Sequence, residues 1–205
     1  DGVELLHQRM NAINIDGGGK VAITNTRIVD AVNHGVRSFC DDMTMAELRI
    51  AGCGGDGIHG FCDDWTIADL RIAGCGGNGI NVVDAAAQDV GTINLLRAKI
   101  LMVTENGVKI NAHAALTATD VLIRNPGQNG FLAILEENPQ EQMQLRNIRV
   151  LHAGASGVSV AGPMNVDIAG ARIDEPEENG IVIDTTYGGV MDASLAHFQK
   201  IGLPG

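Results

Sequence analysis

One short pattern recurs along the whole chain: any residue, then glycine, then an apolar residue. The glycines are Gly2, Gly35, Gly57, Gly79, Gly107, Gly130, Gly157, Gly180 and Gly202, at intervals of 33, 22, 22, 28, 23, 27, 23 and 22 residues. A floor of 22 residues with insertions above it is what a solenoid produces when its coils share one cross-section and differ only in their loops. Residues 39–60 and 61–82 strengthen the reading, because they agree at 16 of 22 positions, as a duplicated coil would.

Between the glycines, apolar residues alternate in three short segments per repeat. The first holds Val21/Ile23, Met43/Met45, Trp65/Ile67, Ile93/Leu95, Leu116/Ala118, Met143/Leu145 and Val166/Ile168. The second holds Leu48/Ile50, Leu70/Ile72, Ala98/Ile100, Val121/Ile123 and Ile148/Val150. The third, after the glycine, holds Ile80/Val82, Val108/Ile110, Phe131/Ala133, Val158/Val160 and Ile181/Ile183. Period-two alternation marks half-buried strands, so each coil is expected to carry three strands around a narrow core. Only 3% of residues are aromatic, which suits such a core. The glycines, mostly after Asn or Asp, are expected to take φ > 0 at a corner.

Three strands per coil, Asn-Gly corners and Ile/Val ladders resemble the right-handed parallel β-helix of the pectin-lyase-like superfamily. The fold expected is therefore an all-β, single-stranded parallel β-helix of about eight coils of ~22–28 residues, with residues 1–205 as one domain. Repeat glycines at both Gly2 and Gly202 put the two ends in matching phase. Uncapped terminal coils expose strand edges, so a segment of a longer chain, or self-association through ends or faces, is expected.

Charge and hydropathy narrow the partners. A net charge of −11 offers no positive field to gather phosphates, which argues against nucleic acid. No apolar run approaches the ~18 residues of a membrane span. Cys40/Cys62 and Cys53/Cys75 are pairs one period apart, expected as ladders of buried thiols.

Chemistry is expected where insertions crowd one corner. Short turns at Phe39–Asp42 and Phe61–Asp64 lie between a fifteen-residue stretch, Leu6–Lys20, and a ten-residue one, Val83–Thr92, which would make a trough. Its floor holds Asp41, Asp42, Asp63 and Asp64. Carboxylates so close repel, and are expected to share a cation, Ca²⁺ in particular, or to hold a proton for acid catalysis. Beside them an outward row reads Glu4, Arg37, His59, Asn81 and Lys109, residues suited to sugar hydroxyls and carboxylates. A second row, Arg27, Arg49, Arg71, Lys99, Arg149 and Arg172, is expected to be neutralised by Glu47, Asp69 and Asp120 two positions earlier. The remaining histidines, His7, His113, His152 and His197, share no face.

Asp56-Gly57-Ile58 is similar to part of the Asn-Thr-Asp-Gly-Ile stretch of polygalacturonase-type hydrolases, although Gly54-Gly55 stand where that stretch has Asn-Thr. The resemblance implies Asp56 as a catalytic carboxylate, with Asp63 or Asp64 as partner in an inverting hydrolysis. A uronate lyase or epimerase would instead take Arg37 or Lys109 as base, with Ca²⁺ on Asp41 and Asp42. The function expected is recognition, and cleavage by hydrolase or lyase chemistry, of a polysaccharide along one face. The rival class is a non-catalytic adhesin, fibre or spike segment, or designed scaffold. Either class implies an extracellular, cell-surface or virion-surface location.

Overall fold

A computed structural model describes residues 2–61, 63–83, 91–111, 114–134, 142–162, 165–184, 191–194 and 197–199. Cys62, His113, most of the Val83–Thr92 turn and the Gly202 repeat lie outside these residues. The described chain is all β and contains no helix; three parallel sheets wind into a solenoid of about seven turns with three strands per coil. In chain order each coil contributes to sheet A (Thr26–Val29, Arg49–Ala51, Arg71–Ala73, Lys99–Leu101), sheet B (Val36–Phe39, Ile58–Phe61, Ile80–Val83, Val108–Asn111) and sheet C (Asp42–Ala46, Asp64–Ala68, Gly91–Leu96, Ala114–Thr119).

Register follows the sequence period. Ile28, Ile50, Ile72, Ile100, Ile123, Val150 and Ile173 stack along sheet A, each buried. Met43, Trp65, Ile93, Leu116, Met143 and Val166 do the same along sheet C. Parallel in-register pairing puts like side chains ~4.8 Å apart, so each apolar ladder excludes water over its whole length. Cys40, Cys53 and Cys75 are buried free thiols, and a hydrogen bond with Cys75, together with burial, pushes the Cys53 thiol up.

The corners depart from expectation. Gly35, Gly57, Gly79, Gly107, Gly130 and Gly157 take no positive φ. They are required by crowding: a Cβ on Gly79 would lie 2.5 Å from the Gly107 carbonyl oxygen and 2.5 Å from Ile100 Cγ2. The left-handed conformation falls on two other columns. One, between sheets C and A, is Asn25, Glu47, Asp69, Arg97, Asp120, Asn147 and Gly170; the other, after sheet A, is His7, Asp30, Gly52, Gly74, Met102, Asn125, His152 and Glu175. Each is a one-residue bend that lets a flat strand turn into the next sheet.

The first coil is phased differently from the glycine count. Val3 pairs with Thr26, and the Ala12 and Ile13 amides donate to the His34 and Gly35 carbonyls, so Ala12, not Gly2, stands on the rung of Gly35. Leu6–Lys20 is therefore not one loop. The strand Ile13–Asp16 lies within it, only 17–19 join that strand to sheet C, and this wall of the expected trough is three residues long. Glu4 sits beside Arg27 on sheet A, and Asn14 takes its place in the polar row of sheet B.

Candidate functional site

The column just before the repeat glycines is a hydrogen-bonded ladder running up the solenoid. Asn129 Oδ1 accepts the Ser156 amide at 3.1 Å, and Asn106 Oδ1 accepts both the amide and side-chain amide of Asn129 at 3.1 and 3.0 Å. Asn78 Oδ1 serves Asn106 in the same way at 3.1 and 2.9 Å. One rung lower stands Asp56. Its Oδ1 accepts the Asn78 amide at 2.7 Å and the Asn78 side-chain amide at 3.0 Å. The ladder continues downward through His34, whose Nδ1 accepts the Asp56 amide at 3.0 Å, to Asn11, whose Oδ1 accepts the His34 amide at 3.2 Å.

A carboxylate in this ladder has a second oxygen to satisfy. Asp56 Oδ2 accepts from His59 Nδ1 at 2.8 Å and from Asn81 Nδ2 at 3.0 Å, both from the outer face of sheet B. Burial works to raise the Asp56 carboxyl, but donors from His59, Asn81 and Asn78 outweigh it and hold it at about 2. Asp56 is thus an acceptor only, so His59 donates through Nδ1–H, and the neutral imidazole then carries its lone pair on Nε2. Among the described residues Nε2 makes no hydrogen bond, and the His59 side chain is 22% exposed. His34, stacked on His59 with ring centroids 4.4 Å apart, uses its Nδ1 lone pair on the Asp56 amide. Burial and the neighbouring His59 keep His34 neutral to lower pH than usual.

Around this centre the sheet B row runs Asn14, Arg37, His59, Asn81, Lys109, Leu132 and Ser159 in register. Arg37 donates to Asp16 Oδ1 at 2.7 Å and Asn14 Oδ1 at 3.0 Å, and its guanidinium lies 4.0 Å over the Phe39 ring. Asn81 is buried, with Oδ1 unpartnered, and Lys109 is half-buried with no ion pair among the described residues. So His59, Asn81 and Asp56 are brought together, Arg37 and Lys109 flank them, and Asp63 and Asp64 stand at the opposite end of the strand Ile58–Phe61.

The acidic corner is already compensated in part. Asp41 Oδ2 accepts the Gly19 amide at 2.7 Å, and Asp42 pairs with Lys20 at 2.8 Å, which raises the Lys20 ammonium. Among the described residues, one set of His, Cys, Asp or Glu brings three ligand atoms within 4.8 Å: His34, Asp56 and His59. The atoms that face one another are already engaged: His34 Nδ1 holds the Asp56 amide, His59 Nδ1 faces Asp56, and Asp56 takes four donors. It reads as a proton-bearing network, not a metal cage.

Sequence reasoning found Asp56, His59 and Asn81 separately and missed His34 and Asn78, because the residue before glycine was read as a corner. A signal existed. The duplicated coils differ at six positions, and three of them are Asp56/Asn78, His59/Asn81 and Gly60/Val82. Divergence between copies is concentrated at the site. Comparison with protein-family models, curated proteins and solved structures finds no match to this chain.

Two titrations should be visible in stability. His34 has its folded pKa below its unfolded value of 6.5, so stability should fall as pH drops through 6.5. Asp56 is likewise lowered, from 3.8 to about 2, so its contribution is present above 3.8 and lost as pH falls toward 2, about 2 kcal/mol in all. Denaturation midpoints of wild type minus those of Asp56→Asn should shrink over that acid window. A difference that grows on acidification would contradict the assignment.

Proposed function

We propose that the outer face of sheet B binds an acidic polysaccharide and that His59 acts there as the proton acceptor. The observation that supports this is the imidazole itself: Nδ1 faces an Asp56 carboxylate that is ionised at neutral pH, and Nε2 makes no hydrogen bond among the described residues. Asp56 is a positioning residue in this scheme. A carboxyl held near 2 donates no proton at neutral pH, which favours elimination with a histidine base over hydrolysis with Asp56 as acid.

In a bound uronate, the proton α to the carboxylate passes to His59 Nε2. The electron pair left on that carbon forms the new C=C bond, the adjacent glycosidic C–O bond breaks, and the departing oxygen takes up the proton from the imidazolium. Lys109, two rungs from His59 (~10 Å along the axis), supplies an ammonium for a sugar carboxylate. Arg37, one rung to the other side and already paired with Asp16, offers hydrogen bonds beside the Phe39 ring. Asp63 and Asp64 border the far rim of this face. Asp41 and Asp42, which hold the Gly19 amide and Lys20, take no part in this chemistry.

A non-catalytic binding solenoid is the second reading, favoured by one observation: Asp56 fills a rung that Asn78, Asn106 and Asn129 fill elsewhere, so its placement has a structural use of its own.

The test incubates the protein with polygalacturonate, alginate, a sulfated glycan and a neutral glucan, following binding and the ultraviolet absorbance of unsaturated ends. Unsaturated product from wild type, lost in His59→Gln and in Asp56→Asn with binding retained, is the expected result. Lys109→Met should weaken binding of the uronate. Binding without product leaves the second reading, and no binding to any acidic glycan overturns both.

A further inference from the structure

Sheet A carries a feature that the sheet B site does not use. Arg27, Arg49, Arg71 and Lys99 occupy consecutive rungs of one outward column, as direct register partners. All four are exposed. Of the carboxylates expected to neutralise them, two are engaged elsewhere, and Glu47 lines a cavity with Arg27 and Arg49 without pairing to either. Asp69 is held by Arg97 in a two-pronged pair at 2.6 and 2.7 Å, and Asp120 by Asn147, both along the left-handed corner column. Glu47 makes no ion pair with the column, and Arg27 alone has a partner, Glu4. Arg49, Arg71 and Lys99 have no carboxylate partner among the described residues.

Like charges directly opposite on neighbouring strands destabilise a sheet, here with a separation of only ~4.8 Å. An exposed strand position has no packing need for arginine, and Leu122 on the next rung shows that the fold accepts an uncharged residue there. The column is bounded on one side by the small side chains of Ala51 and Ala73, which leave a shallow groove along the guanidinium row.

We propose that this groove is a second, separate binding site for a linear anionic polysaccharide bearing one carboxylate or sulfate per sugar, lying along the solenoid axis. A pyranose advances by about the coil rise of ~4.8 Å, so successive anions meet successive rungs. Planar guanidinium groups suit carboxylate and sulfate. Single-stranded nucleic acid is disfavoured because Ala51 and Ala73 give its bases no aromatic surface on which to stack. The site does not depend on His59.

The experiment uses Lys109→Met as parent, so that the Lys109 charge on sheet B is absent, and measures binding of dextran sulfate and polygalacturonate over a salt series. The parent should bind with an affinity that falls as salt rises. Adding Arg49→Gln and Arg71→Gln should weaken binding by about ten-fold or more and flatten the salt dependence. Without ligand, at low salt, the same double substitution should hold or raise the denaturation midpoint, because it removes repulsion. Unchanged glycan affinity overturns the proposal. So does a lowered midpoint, which would make the arginines structural. An oligonucleotide bound as tightly as the sulfated glycan overturns the choice of ligand. Failure of the sheet B reaction leaves these outcomes untouched.

Discussion

Asp56→Leu is expected to destabilise the protein by roughly 3–5 kcal/mol, while Asp56→Asn costs about 2 kcal/mol. Leucine leaves four donors without an acceptor: the Asn78 amide, the Asn78 side chain, His59 Nδ1 and Asn81 Nδ2. All meet a carboxylate that is 5% exposed, so water cannot readily replace it. Against a total stability of ~5–15 kcal/mol, the loss is large. Asparagine keeps Oδ1 on the ladder, as Asn78 and Asn106 show one and two rungs above. Its amide would face His59 and Asn81, and both can adapt. His59 moves its proton to Nε2, and Asn81 turns its unpartnered Oδ1 to accept.

The same asparagine variant then separates structure from chemistry. Moving the proton to Nε2 removes the lone pair that the proposed function needs, so Asp56→Asn should fold and be inactive. Urea denaturation and product formation on one preparation check both halves. A leucine variant as stable as wild type would show that the ladder carries little of the stability.

The second large effect is at Gly60, which follows His59 on the strand Ile58–Phe61. Its φ is 153°, and a Cβ built there would stand 1.8 Å from the Ser38 carbonyl oxygen. The obstacle is backbone of the neighbouring coil, which cannot swing aside as a side-chain tip can. Gly60→Ala is expected to cost about 3 kcal/mol or more, with displacement of the adjacent His59. Gly17→Ala is the control. Gly17 has φ 139° but nothing within 4 Å of its added Cβ, so it reports backbone strain without the clash. Equal denaturation midpoints for the two variants would exclude crowding as the reason for Gly60.

How much of this was legible beforehand differs by column. The Ile28-to-Ile173 and Met43-to-Val166 ladders were readable because each residue touches its counterpart one period away, so spacing in sequence equals contact in space. The glycine column was legible as a period but not in its cause. Its small size answers to Ile100 and the Gly107 carbonyl, atoms of another coil. The two left-handed columns escaped notice because they accept Asn, Asp, Glu, Arg, Met and His as well as Gly, leaving no residue-type signature.

By itself, then, the sequence determined the three-strand coil, the buried faces and the polar row of sheet B, since period-two alternation and a fixed repeat leave a stacked chain few other ways to bury its apolar residues. Tertiary structure decided the phase of the first coil, where backbone pairing with Thr26 and His34 outranks a stray glycine. It also decided the site. His34 and Asp56 share the position before the repeat glycine, but His59 lies three residues further on, on the outer face of sheet B, so no single periodic row holds all three. They meet because a carboxylate at one rung has two oxygens, and the second takes its donors from the face of sheet B.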